Sequence, residues 1–70
     1  MSPVTSIVLN GEPDVGAATV GDLLERHLGT RDPRGVAVAV DAEVVPRALW
    51  PQRALADGSV VEIVTAVQGG

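Results

Sequence analysis

The sequence contains no cysteine, lysine, phenylalanine or tyrosine, and only one histidine and one tryptophan, His27 and Trp50. Without cysteine there is no disulfide framework, no thiolate zinc site and no thiol nucleophile. Without lysine there is no Schiff base, no phosphate-loop lysine and no side-chain amine for conjugation; the α-amino group is the only amine. A single aromatic residue cannot make a base-stacking platform. Nine acidic residues against five arginines give a net charge of −4, which argues against tracking a phosphate backbone. The longest wholly apolar run is Val36-Ala-Val-Ala-Val40, far too short to span a bilayer. Residues 1–10 have neither the basic start nor the apolar stretch of a signal peptide. The expectation is a cytoplasmic protein with no nucleic-acid or membrane partner.

What remains is an aliphatic chain of 70 residues, 46% apolar and rich in Val, Leu and Ala. That is one small domain, whose stability rests on its core alone. Residues 5–9 read as a strand ending at Asn10-Gly11, a strong hairpin signal. The return strand spans Glu12 to Val15, and Pro13 within it marks a sheet edge. Thr19 and Asp22 have capping-box spacing. Val20, Leu23, Leu24, His27 and Leu28 follow at helical spacing, and Gly29 is a natural helix stop. Val36 to Val40 reads as a strand, Asp41-Ala42 as a tight turn and Glu43 to Val45 as a short return. Arg47 to Ala56 has no clear period; a short helical turn there would place Leu49, Trp50 or Leu55 against the core. Asp57-Gly58 is a further turn, and Val60 to Val67 reads as a strand with neighbours on both sides.

Strand, strand, helix, strand, strand, strand suits a mixed sheet of about five strands with one main helix across one face, an α+β fold. With the first and last strands parallel and adjacent, the segment between them is the crossover. Ile7, Leu9, Val38, Val40, Val61 and Ile63 would then face the helix, with Leu23, Leu24 and Leu28 opposite. This is similar to the β-grasp arrangement of ubiquitin.

Catalytic chemistry is hard to assemble from these residues. His27 sits near the apolar face in the last helical turn, and reads as a partly buried histidine beside the helix C-terminus. No nucleophile and base can be grouped around it. Asp41 and Glu43 are the closest carboxylates, and across a tight turn they read as solvated. Arg26, Arg31 and Arg34 read as a polar rim rather than an anion site. The glycines match no phosphate-binding pattern. No catalytic, cofactor-binding or metal-ligating residue is expected.

The end of the chain is different. A packed strand runs almost to the terminus, and Gln68-Gly69-Gly70 then projects, reaching at most about 10 Å. Residues 1–67 would form the domain and residues 68–70 the tail. The terminal carboxylate is ionised at neutral pH. It can attack the α-phosphate of ATP and become an acyl-adenylate, open to a sulfur or nitrogen nucleophile. Glycine leaves that carbonyl uncrowded and lets the backbone thread a narrow channel.

With those pieces in place, the sequence resembles the ThiS family of sulfur carriers, within the wider ThiS/MoaD group. The resemblance runs from about Ile7 to Gly70. It is carried by Asn10-Gly11, Thr19-Val20 with Leu23-Leu24, Val36 to Val40, and above all Val44-Val45-Pro46-Arg47-Ala-Leu-Trp50. Leu55, Asp57-Gly58, Val61 to Val64 and Val67-Gln68-Gly69-Gly70 complete it. Asp41 stands where members often have Asn, and Ser59 where many have Asp. The resemblance implies a carrier in thiamine biosynthesis rather than an enzyme. Gly70 would be adenylated by a ThiF-like adenylyltransferase using ATP and magnesium, neither held by this chain. A sulfur-relay protein would then make the thiocarboxylate, and the thiazole synthase ThiG would take the sulfur. Gly69 and Gln68 would be read by these partners as the tail.

Glu62, Val64 and Ala66 alternate onto the sheet face away from the helix, with Val8, Ala37 and Ala39. This apolar patch is the expected partner surface. Related carriers for molybdopterin or cysteine biosynthesis, a ubiquitin-like modifier and a β-grasp module with an inert tail remain open alternatives.

Overall fold

The structure is a computed structural model that describes residues 6–65. Strands β1 (Ser6–Leu9) and β2 (Glu12–Val15) form the first hairpin, and helix α1 spans Val20–Leu28. Strands β3 (Val36–Val40) and β4 (Glu43–Val44), a 3₁₀ turn at Arg47–Leu49 and strand β5 (Val60–Thr65) follow. The five-stranded sheet has the order β2-β1-β5-β3-β4. β5 is its central strand, parallel to β1 and antiparallel to β3, as expected from an apolar run interrupted only by Glu62 and Thr65. Pro13 lies on an edge strand, where its missing N–H costs no ladder bond.

Both hairpin turns have two consecutive residues of positive φ, which match the right-handed twist of the strands they join. At Asn10-Gly11 the sequence suits the geometry. At Asp41-Ala42 it does not, because Ala42 holds φ of 69° with a Cβ. Left-handed backbone costs an L-residue about 1–2 kcal/mol, part of which glycine returns as extra unfolded-state entropy. Ala42→Gly is therefore expected to stabilise the protein by about 0.5–1 kcal/mol. A urea titration would show this as a higher midpoint at unchanged slope; a lower midpoint would contradict it.

α1 is short, and its start is fully accounted for. Thr19 caps it, its Oγ1 accepting from the Asp22 N–H at 3.1 Å. The Val20 N–H donates to the Arg53 carbonyl, Gly21 to the Trp50 carbonyl and Leu23 to the Thr19 carbonyl. The N–H groups of Val20, Gly21 and Asp22, which have no carbonyl within the helix to bond, are thus all taken up. Gly29 ends the helix at φ of 79°.

The core lies between α1 and the sheet. Ile7, Val38, Val40 and Val61 meet Val20, Leu23 and Leu24, and Leu9 and Ile63 pack at its margin. Trp50 and Leu55 close one side, Trp50 being only 2% exposed, whereas Leu49 stays exposed. Leu28 departs from expectation and is 39% exposed. The last turn of α1 runs out over β2, where Asp14 rather than an apolar residue faces it.

Candidate functional site

Cross-strand partners share a sheet face, so the register determines what the face away from α1 presents. Ala37 stands opposite Val64 and Ala39 opposite Glu62. Ala39 also pairs with Val44, and Val8 pairs with Val60 and with Pro13. One face therefore runs from Val15 on β2 to Val44 on β4. Among the described residues, Glu62 is the only ionisable side chain that the register places on it. Val15, Val44 and Val64 are 65%, 73% and 61% exposed. An open groove of about 300 Å³, lined by Gly35, Val36, Ala37 and Val64, continues the face. It lies at the end of the sheet where Thr65 pairs with Val36 and β5 leads into the tail. Glu62 and Val64 thus sit where the sequence placed them, beside Val8, Ala37 and Ala39. Ala66, Gln68, Gly69 and Gly70 lie outside the described residues.

The strand beneath this face is held firmly. The Val8 N–H donates to the Ser59 carbonyl and the Asn10 N–H to the Val61 carbonyl, both at 2.9 Å. Beyond the end of β1 the Asn10 side chain takes over. Its Oδ1 accepts from the Ile63 N–H at 2.9 Å, and its Nδ2 donates to the Ile63 carbonyl at 3.3 Å. One carboxamide thus extends the parallel ladder by a peptide unit, towards the tail. On the other side, Asp41 accepts from the Val60 N–H through Oδ1 at 2.9 Å. The Asp41 side chain therefore ties the β3–β4 turn to the start of β5 and does not form a carboxylate pair with Glu43.

The remaining polar residues of interest are structural. The His27 side chain is partly buried, 35% exposed, but it meets a carboxylate of β2 and not the apolar core, with Nε2 2.8 Å from Asp14 Oδ2. Asp14 pairs with Ile7 in the hairpin, so it points to the α1 side of β2 and meets the helix's last turn. Arg26 donates to the Gly16 and Val15 carbonyls of the same strand end. The Val15 N–H, donated to Asp14 Oδ1 at 2.7 Å, holds this carboxyl below its usual 3.8, and the charges of His27 and Arg26 add to it. A lowered carboxylate pKa stabilises the fold above the unfolded value, and the contribution fades as pH falls through the folded value. Asp14→Asn is therefore expected to lower the melting temperature at neutral pH, with the gap to the parent closing as the pH falls below the usual carboxylate value of 3.8. A gap independent of pH would contradict this.

Arg31 pairs with Asp22 and Glu25 on α1. Arg47 bonds the Asp32 carboxylate and the Asp32 and Pro33 carbonyls, and its guanidinium lies 5.5 Å from the centre of the Trp50 ring. The Trp50 Nε1–H donates to the Val45 carbonyl at 3.0 Å. The most distinctive stretch of the sequence, Val44 to Trp50, thus anchors the loop after α1 to the core and is not a reactive site. Among the described residues no group of three or more His, Asp or Glu could hold a metal ion. No described helix is long and apolar enough to cross a membrane.

The model of the ThiS family matches residues 7–70, nearly the whole chain and the glycine end with it. The chain belongs to the ThiS family. It is 41% identical over 63 residues to the sulfur carrier protein ThiS of Thermus thermophilus, covering 89% of this chain and 95% of that one. The crystal structure of ThiS from Geobacter metallireducens, a thiamine biosynthesis protein, superposes with a TM-score of 0.74 at 29% identity. That superposition covers 93% of this chain and 99% of the other. The five-stranded mixed sheet with one helix is accordingly the β-grasp fold of ThiS proteins. These are carriers and not enzymes, in keeping with side chains that build a scaffold around β5.

Proposed function

We propose that this protein is a sulfur carrier of thiamine biosynthesis and that its reactive group is the α-carboxylate of Gly70. The observation that carries this reading is the course of β5. The most firmly paired strand of the sheet leads, within five residues, to a Gly-Gly end in a chain of the ThiS family. The three tail residues, fully extended, span at most about 10 Å, enough to carry a carboxylate from the domain into a partner's cleft.

In the first step a Gly70 carboxylate oxygen attacks the α-phosphorus of ATP. Pyrophosphate leaves, and the mixed anhydride with AMP forms. A ThiF-like adenylyltransferase supplies the site, the ATP and the magnesium, whose charge neutralises the departing phosphates. In the second step a sulfur nucleophile from a relay protein attacks the Gly70 carbonyl and displaces AMP. With a persulfide as that nucleophile the product is an acyl disulfide; a second thiolate, from a partner or a small thiol since this chain has no cysteine, then attacks the donor sulfur, forms a disulfide with it and releases the Gly70 thiocarboxylate. The thiazole synthase ThiG then receives the sulfur. Residues 1–67 are the domain the partners grip, and Gln68, Gly69 and Gly70 are the part they thread. Without a Cβ, Gly69 and Gly70 permit a close approach that a side chain would block. The gripping surface is the apolar face with Glu62, Val64 and Ala66. A partner that consumes ATP is consistent with a cytoplasmic location.

Deleting Gly70 is expected to abolish pyrophosphate release by the activating enzyme while circular dichroism stays unchanged. Full pyrophosphate release by the shortened chain would show that the reacting carboxyl is elsewhere.

A further inference from the structure

The face proposed as the docking surface has one charged residue near its middle. Glu62 is the third residue of the central strand, with Val60 and Val64 on either side of it and Ala39 directly opposite. It is exposed. Among the described residues, the ion pairs of the protein join Arg26 and His27 to Asp14, Arg31 to Asp22 and Glu25, and Arg47 to Asp32. None reaches Glu62. In the free protein water solvates this carboxylate, and a charge on an apolar sheet face guards against self-association. Once a partner covers the face, that water is lost. An uncompensated buried carboxylate costs enough to cancel the gain from burying the valines around it.

We infer that the partner surface covering this face carries a cationic side chain, an arginine in preference to a lysine, set among apolar residues and paired with Glu62 when bound. The inference rests on the docking role of the face proposed above. Arginine fits better because its guanidinium is less strongly hydrated than an ammonium and can take both carboxylate oxygens at once. The pair fixes the register of the carrier on its partner, and with it the direction in which the tail leaves. It also selects among carriers, because a β-grasp protein lacking an acid at this position leaves the partner's cation buried and unpaired.

The test is a titration of the ThiF-type adenylyltransferase with the full-length chain and its Glu62→Gln, Glu62→Arg and Val64→Glu variants. Circular dichroism first confirms that each is folded. Glu62→Gln keeps the shape, removes the charge and is expected to weaken binding by about 30-fold or more, the range for one lost member of a buried pair. Glu62→Arg is expected to weaken it further, and a reciprocal arginine-to-glutamate change on the enzyme to restore it. Unchanged affinity for Glu62→Gln with weakened binding for Val64→Glu would overturn the cation and leave the docking face standing. Unchanged affinity for both would overturn the docking face itself, and the cation with it.

Discussion

Val64→Glu is expected to weaken binding to the activating enzyme, and separately to the thiazole synthase, by at least about 30-fold, the loss typical of a central interface residue. Val64 is 61% exposed in the free protein, opposite Ala37 and beside the groove at the tail end of β5. The substitution leaves the core intact and should cost the fold less than about 1 kcal/mol, the span of strand preferences at exposed positions. In a complex it places a second carboxylate two residues from Glu62 on the same face, where both lose water. The loss should therefore appear as faster dissociation with nearly unchanged melting temperature. Calorimetric titrations against each enzyme check it. Retained affinity for one enzyme alone would show that the two grip different faces.

Trp50→Ala is expected to be the most damaging single change to the fold. The ring is almost wholly buried, closes one side of the core and hydrogen-bonds the Val45 carbonyl; the Trp50 carbonyl also receives the Gly21 N–H at the start of α1. Truncating a buried tryptophan costs about 3–5 kcal/mol. A chain of 70 residues has a total stability of about 4–10 kcal/mol. The variant should therefore unfold at far lower urea, or be largely unfolded without it, when followed by circular dichroism. Trp50→Phe separates the two contributions, because it keeps most of the ring and leaves the Val45 carbonyl without its donor. It should cost about 1–3 kcal/mol. A midpoint for Trp50→Ala close to that of the parent would show that the core does not depend on this side.

The elements that carry their own local signals were legible in the sequence. Thr19 and Gly29 delimit α1 because a cap and a left-handed stop act within a few residues, and Asn10-Gly11 forms its hairpin for the same reason. The central position of β5 showed in its near-continuous apolar run. What escaped depends on partners distant in sequence. Helical spacing assigns His27 and Leu28 to the apolar stripe, but the sheet beneath the last turn presents Asp14 of β2. Spacing within a helix carries no information about what lies below it. Arg47 to Ala56 has no period because it is pinned from outside, by Arg47 to the Asp32 loop and by Trp50 to α1 and Val45. The carboxamide of Asn10 could be read as a turn residue, whereas its bonds to Ile63, 53 positions away, needed the sheet register. The apolar outer face was legible through alternation, since each strand shows it separately. The isolation of Glu62 on that face emerged only once all five strands were aligned.

The central claim is that Gly70 carries sulfur, and the most direct measurement is the intact mass of the protein after incubation with ATP, magnesium, a ThiF-type adenylyltransferase and a sulfide source. The expected result is replacement of one oxygen by sulfur, located to Gly70 by fragmentation and absent when Gly70 is deleted. An unchanged mass, with an enzyme shown to activate another carrier in the same reaction, would contradict it.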